Sequence, residues 1–286
     1  MFSQKEWQDF YLLLDLALME DLDQKGDVTS EAIFSDQRVT CQLISKEWGV
    51  LAGIEGFQSV FKKMDPEMKI EVFLSDGADL KPNTVVARLE GLTKSILVAE
   101  RTALNFLGYL SGIATATRRM VQAAQKAGKA VILDTRKTLP GYRRLVKYAV
   151  RVGGGQNHRF GLYDMVLIKD NHIDAVGSLT EAVRKVKEKW GKEFLIEVEC
   201  RTLQEVQEAL EAQVDRLLLD NMDPSTTKKA VELVQGRVPL ESSGDMNLER
   251  VGLYAASGVD FISVGRITHS VQSHNFSLQV VKNKHE

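Results

Sequence analysis

The chain has 286 residues and a net charge of −2, with 44% hydrophobic and 27% charged residues. This is ordinary for a soluble globular protein of one large or two smaller domains, and it excludes the broad basic face of a nonspecific nucleic-acid binder. No apolar run approaches the roughly 18 residues of a membrane span, and Met1-Phe2-Ser3-Gln4-Lys5-Glu6 lacks the pattern of a secretory signal. Cys41 and Cys200 lie far apart and form no metal or redox spacing. Both are expected to be core thiols of a cytoplasmic protein.

From the start of the chain, Trp7, Phe10, Leu14 and Leu18 recur at helical spacing and predict a helix over 6–22. Extended segments are expected at 40–45, 69–74 and 85–89, punctuated by Gly53, Gly77 and Gly91. This reads as a small α+β unit. A long helical pattern over 94–126 follows, with an interruption or a bend expected at Gly112.

Beyond Lys129, short apolar runs alternate with amphipathic segments. The runs are 130–133, 165–168, 194–198, 216–219, 238–240 and 260–264, and the helical patterns include 179–189, 203–210, 225–234 and 248–257. This alternation indicates βα units and a parallel sheet. Each run ends on polar residues: Asp134-Thr135-Arg136-Lys137, Lys169-Asp170-Asn171, Glu199, Asp220-Asn221, Ser242-Ser243-Gly244 and Gly265. Ligand groups after six strands favour a barrel over an open sheet, which gathers them near one switch point. A further strand is expected between Tyr142 and Val152.

Although the whole chain is slightly acidic, these strand ends collect cations. Arg136 and Lys137 are adjacent, so a regular strand would send them to opposite faces, whereas a turning strand end lets both face one pocket. Arginine matches carboxylate or phosphate bidentately, and lysine supplies a compact charge. Gly153-Gly154-Gly155 before Asn157-His158-Arg159 reads as a binding loop, although it is neither a GxGxxG fingerprint nor a P-loop. Lys169 follows Val166-Leu167-Ile168 and needs an anion opposite it, either a substrate or a structural carboxylate such as Asp170 or Asp134. It could also be a Schiff-base nucleophile if Arg136, Lys137 and Arg159 lower its pKa.

Glu199 and Asp220 suit salt bridges, Mg²⁺ ligation or acid/base work, and their spacing does not choose among these. No His/Cys spacing indicates zinc. Ser243-Gly244 and Ser263-Val264-Gly265 stand where barrels bind phosphate on backbone N–H groups, and each alone equally fits an ordinary turn. His172 is expected to orient a loop, and His269 and His274 to be surface or packing residues.

Taken together, these segments resemble the quinolinate phosphoribosyltransferase family. The resemblance runs through Glu100-Arg101-Thr102-Ala103-Leu104-Asn105, Ser111-Gly112-Ile113-Ala114-Thr115 and Asp134-Thr135-Arg136-Lys137-Thr138-Leu139-Pro140-Gly141. It continues through Lys147-Tyr148-Ala149-Val150, the 153–159 loop, Leu167-Ile168-Lys169-Asp170-Asn171-His172, Glu197-Val198-Glu199 and Leu219-Asp220-Asn221. Ser243-Gly244, Ser263-Val264-Gly265 and Thr268-His269-Ser270 complete it.

The resemblance implies an α/β protein with an N-terminal α/β sandwich, residues 1–112, and an incomplete seven-stranded α/β barrel, residues 113–270. The tail, 271–286, would return to the sandwich. The implied reaction joins quinolinate to phosphoribosyl pyrophosphate with Mg²⁺, giving nicotinate mononucleotide, pyrophosphate and carbon dioxide for de novo NAD synthesis. Arg101, Arg136, His158, Arg159 and Lys169 would surround quinolinate. Lys137, Glu199 and Asp220 would be catalytic and meet the phosphoribosyl donor, the two carboxylates also serving the metal directly or through water or substrate. Ser243, Gly244 and Gly265 would hold the 5′-phosphate. A homodimer is implied, with Arg101 reaching the neighbouring subunit's pocket, and no nucleic-acid or membrane partner. In this reading Lys169 is a charged contact and no Schiff base is needed.

Two positions depart from the family pattern. Asp245 stands where a second glycine is common, and an acid there requires its side chain to point away from phosphate. Tyr142 stands where leucine is common. The rival readings are a related phosphoribosyltransferase for another base, such as the ModD-like proteins of molybdenum gene clusters, and a catalytically idle anion-binding homologue.

Overall fold

The computed structural model describes residues 1–281. The chain forms two compact units, one comprising 1–116, 139–153 and the tail from 271, the other 117–138 and 154–270. Compared with the boundaries expected from sequence, residues 113–116 and 139–153 fall in the first unit. For 139–153 the cause is packing: helix α5 (Arg143–Val152) lies on α1 (Gln4–Leu22). There Tyr148 meets Phe2 edge-on at 4.6 Å between ring centroids, and Arg151 pairs with Glu6 at 2.5 Å. The expected tail ran to 286; residues 282–286 lie outside the described residues.

In the first unit, α1 starts where Ser3 and Glu6 cap each other reciprocally, and Phe10, Leu14 and Leu18 form its buried stripe. The short α2 (Val28–Ile33) opens on the Asp27 carboxylate, which accepts from the Thr29 and Ser30 amides. Strands β1 (Arg38–Ser45), β3 (Lys69–Val72) and β5 (Val85–Leu92) build an antiparallel sheet in the order β12-β1-β5-β3. Its edge strand β12 (Phe276–Val280) comes from the tail, with Leu278 opposite Leu43. A small ladder joins β2 (Gly49–Val50) to β4 (Asp79–Leu80), and α3 (Ile54–Met64) buries Phe57, Val60 and Phe61.

Helix α4 (Thr93–Ala127) is continuous, so Gly112 does not interrupt it. The glycine instead allows a close approach. A Cβ at Gly112 would overlap the Gln272 carbonyl oxygen, and one at Gly108 would stand 2.9 Å from the His274 carbonyl oxygen. The bare helix face admits the tail, where the His274 amide donates to the Gly108 carbonyl at 2.9 Å.

In the second unit the six apolar runs become parallel strands: β6 (Val131–Leu133), β7 (Val166–Ile168), β8 (Ile196–Cys200), β9 (Arg216–Asp220), β10 (Leu240–Ser243) and β11 (Phe261–Ser263). Their order is β6-β11-β10-β9-β8-β7. Helices α6 (Asp170–Val176), α7 (Leu179–Trp190), α8 (Leu203–Glu211), α9 (Pro224–Val234), α10 (Leu248–Ala256) and α11 (Arg266–His269) alternate with them. Ser178, Thr202, Asp223 and Asn247 each cap the helix they precede.

The strand expected between Tyr142 and Val152 is α5 instead. Its apolar residues bury along a helix, and Gly153 ends it. The sheet is extended a few residues later, where Gln156 bridges Leu133 in parallel. The Gln156 amide donates to the Ile132 carbonyl at 2.8 Å, and the Asp134 amide to the Gln156 carbonyl at 3.2 Å. Six strands plus this one-residue bridge make the incomplete barrel. Among the described residues β7 has a strand neighbour only at β8.

Candidate active site

The strand ends of the second unit enclose a cavity of about 540 Å³. Ten residues expected from sequence line it together: Arg136, Lys137, His158, Arg159, Lys169, Glu199, Asp220, Ser243, Gly244 and Gly265. Arg101 does not. It is exposed on α4, in the first unit.

Asp134, fully buried at the end of β6, organises the loop that supplies two of these side chains. Its oxygens accept from the Asn157 side-chain amide at 2.6 Å and the His158 backbone amide at 2.9 Å. Gly154, at φ +94°, makes the preceding turn. Asp134 thus anchors the loop, and the carboxylate nearest Lys169 is that of Glu199, 3.6 Å away.

The cations are incompletely balanced. Arg136 is half-buried, and its Nε is buried with no hydrogen-bond partner. Arg159 donates to the Met165 carbonyl at 3.3 Å. Burial, and then the charge of Arg136, hold the Arg159 pKa below the usual arginine range. Two guanidiniums in partial burial with an unused donor suit an anion carrying more than one charge.

On the opposite side of the charge balance, burial raises the Glu199 pKa, Lys169 works against that, and Asp220 adds to it. Both carboxylates therefore lie within electrostatic reach of each other on one cavity wall. Asn221 donates to Asp220 at 2.9 Å, and its backbone amide donates to the Ser243 carbonyl at 3.1 Å, tying the ends of β9 and β10. Asn221, Gly244 and Asp245 all have positive φ, so the backbone curls at this corner. The Asp245 carboxylate turns to Arg250 at 3.5 Å, and Arg250 also donates to the Asp245 carbonyl at 3.1 Å.

Sequence reasoning did not single out Glu241 or Arg266, gave Glu197 no role beyond its place in the family motif, and treated His269 as surface or packing. His269 is exposed but lines the cavity with Arg266 and Glu241. His274 is a packing residue, buried and 2.8 Å from the Ser45 hydroxyl. His172 orients a loop by accepting the Lys169 amide at 2.9 Å.

Beneath the cavity lies a buried ionic group. His158 Nε2 is 2.9 Å from Glu197 and 3.4 Å from Glu241, while Arg216 is 3.3 Å from Glu241 and 4.0 Å from Glu197. Burial works to lower the His158 pKa, but the Glu197 and Glu241 hydrogen bonds push it up to about 9. Burial, and then Glu241, push Glu197 up to about 7. The Arg159 amide donates to His158 Nδ1 at 2.7 Å and requires a lone pair there, so the ring proton sits on Nε2, facing the two carboxylates. One ligand atom each from His158, Glu197 and Glu241 lie within 4.8 Å of one another. Arg216 already supplies positive charge to both carboxylates, which disfavours a second cation there.

The family model for the quinolinate phosphoribosyl transferase C-terminal domain matches residues 113–279, and the N-terminal domain model of that family matches 27–111. A rice protein named nicotinate-nucleotide pyrophosphorylase [carboxylating], chloroplastic, is 44% identical over 95% of the chain and 78% of its own length. A solved nicotinate-nucleotide pyrophosphorylase from Francisella tularensis superposes with a TM-score of 0.91 at 39% identity, covering 96% of both chains. The NadC structure from Streptococcus pyogenes gives 0.92 at 38% identity, covering 99% of this chain and 100% of its own.

Proposed function

The chain belongs to the quinolinate phosphoribosyltransferase family, and from that premise we propose how its residues divide the reaction. Quinolinate and phosphoribosyl pyrophosphate give nicotinate mononucleotide, pyrophosphate and carbon dioxide, a step of NAD synthesis. The observation that carries the division of labour is the cavity itself, where the partly buried guanidiniums of Arg136 and Arg159 share one space with Glu199, Asp220 and the curled Ser243–Gly244 corner.

Arg136, Arg159 and Lys169 hold the two adjacent carboxylates of quinolinate, with His158 beside them. Lys137 meets the pyrophosphate of the donor, and Ser243, Gly244 and Gly265 take its 5′-phosphate. As the ring nitrogen attacks the ribose and pyrophosphate leaves, positive charge builds on the sugar, and the carboxylates of Glu199 and Asp220 stabilise it. The ribosylated nitrogen is then cationic. The electron pair left at C2 by departing carbon dioxide is stabilised by that adjacent charge and takes up a proton. Lys169 remains a charged contact, since no step requires a Schiff base.

Glu199 and Asp220 form an all-oxygen donor pair on one wall, and Asp220 adds to the rise that burial gives the Glu199 pKa. That chemistry fits Mg²⁺, which favours one or two carboxylates plus substrate phosphate and water. Bound there, the ion would neutralise pyrophosphate charge.

A homodimer is part of this reading. Arg101 is exposed and outside the cavity lining, and Leu12, Leu16 and Met19 leave an apolar stripe exposed on α1, as a covered interface would require. A cytoplasmic location is supported by two buried cysteine thiols left unpaired. Among the described residues no helix is long and apolar enough to cross a membrane.

The deciding assay supplies phosphoribosyl pyrophosphate and Mg²⁺ with either quinolinate or nicotinate. Carbon dioxide and pyrophosphate released only with quinolinate support the reading; turnover of nicotinate alone would sink it.

A further inference from the structure

Glu241 has no part in the roles assigned above, yet it is fully buried in β10 and linked to three neighbouring segments. Its Oε1 accepts from the Ser263 hydroxyl on β11. Its Oε2 is 3.3 Å from Arg216 Nη1 on β9 and 3.4 Å from His158 Nε2 in the loop after Gly154. Arg216 is itself held over the Phe261 ring at 4.3 Å. Burying a carboxylate and partly burying a guanidinium carries a desolvation penalty that pairing must first offset, so such a group is weak evidence of a stabilising role on its own.

The orientation of His158 suggests what the group does. Nε2 turns inward to Glu197 and Glu241, and Nδ1 accepts the Arg159 amide at 2.7 Å. Both ring nitrogens are thus engaged inside the protein, and the imidazole links the buried carboxylates to the backbone of Arg159. With its ring flipped, His158 would lose the amide that fixes Arg159.

We propose that Glu241 is a positioning residue of the quinolinate subsite, holding His158 so that its Nδ1 fixes the Arg159 backbone and sets that guanidinium beside Arg136. The role extends past the assigned contacts and rests on the reading of Arg159 as a ligand of the dicarboxylate. His158 then serves the substrate chiefly through Arg159.

The test is a double-mutant cycle on the full-length enzyme with Glu241→Gln and Arg159→Ala, measuring KM for each substrate and kcat. Glu241→Gln keeps the side-chain shape and is expected to raise the quinolinate KM roughly 10-fold while the phosphoribosyl pyrophosphate KM stays within about twofold. In the Arg159→Ala background it should add little, because its effect passes through Arg159. A parallel rise in both KM values, or fully additive effects, would overturn the proposal and make Glu241 a general brace. If Arg159→Ala alone leaves the quinolinate KM unchanged, the underlying ligand assignment fails instead. Ser263→Ala removes one hydrogen bond from Glu241 and carries the same cycle should Glu241→Gln not fold; Glu241→Asp is expected to recover part of the quinolinate affinity.

Discussion

Arg136 and Arg159 line one cavity and oppose each other's charge: after burial, Arg136 is the main influence holding the Arg159 pKa down. A site under such repulsion gains from an anion and loses little stability when one cation is removed. Arg159→Met should therefore leave Tm unchanged or slightly raised, while the quinolinate KM rises roughly 10- to 100-fold, the worth of one or two charge-assisted hydrogen bonds. Thermal unfolding and steady-state kinetics on the same preparation check both halves; a clear drop in Tm would count against an unbalanced pair.

Glu6 makes a pH prediction for the first unit. Burial acts to raise its pKa, but the Ser3 amide and the Arg151 pair outweigh this and hold it below 4.5. A depressed carboxyl contributes stability above its unfolded pKa and loses it as pH falls through the folded value. Glu6→Gln should cost about 1–2 kcal/mol at pH 7, discounted because Arg151 is half-exposed. The deficit should shrink below pH 4. Urea midpoints at pH 7 and pH 3 read this directly; an equal deficit at both would show that packing, not charge, is lost.

Gly112→Ala separates helix propensity from close packing. In an unencumbered helix the change gains up to about 1 kcal/mol. Here the new methyl overlaps the Gln272 carbonyl oxygen, and a loss of roughly 1–3 kcal/mol is expected. Denaturation of the variant gives the sign, and a stabilised Gly112→Ala protein would refute the close approach.

The strand-end chemistry was legible because each apolar run stops at a polar cluster, and a parallel barrel brings such stops to one rim. Interior chemistry was not. Glu241 sits inside β10, directly after the apolar run 238–240, and its partners Arg216, Ser263 and His158 come from other segments. Nothing local marks such a group. The segment 143–152 was misread as a strand because Leu145, Val146, Ala149 and Val150 look like a short apolar run. The charges at Arg144, Lys147 and Arg151, three and four residues apart, carried the helical period. Gly112 was read as a break or a bend because a glycine's neighbour 160 residues later is invisible to periodicity.

Asp245 sits at φ +30° with its carboxylate turned to Arg250. Replacing it with glycine relieves the backbone and removes an acid near the proposed phosphate corner. Asp245→Gly should gain up to about 1 kcal/mol and leave the phosphoribosyl pyrophosphate KM equal or lower. A raised KM would mean that the Asp245–Arg250 pair shapes the corner and is not a tolerated departure.

The shared-site reading is tested by mixing Arg101→Ala and Arg136→Ala subunits, each nearly inactive alone. In a two-fold dimer, random exchange puts the two intact arginines together in about a quarter of all sites. Activity near that fraction is expected. Absence of recovery after demonstrated subunit exchange would assign Arg101 to its own chain or to structure.

The pairing of β12 with β1 joins residues 276–280 to residues 41–45. During synthesis on a ribosome the first unit therefore waits, with β1 lacking its outer neighbour and the bare face of α4 uncovered, while all six strands of the second unit emerge. Strand β1 is an exposed edge throughout that interval. The amino-terminal half is made first and finished last, and the window for wrong pairings between nascent chains is set by how quickly the barrel is translated.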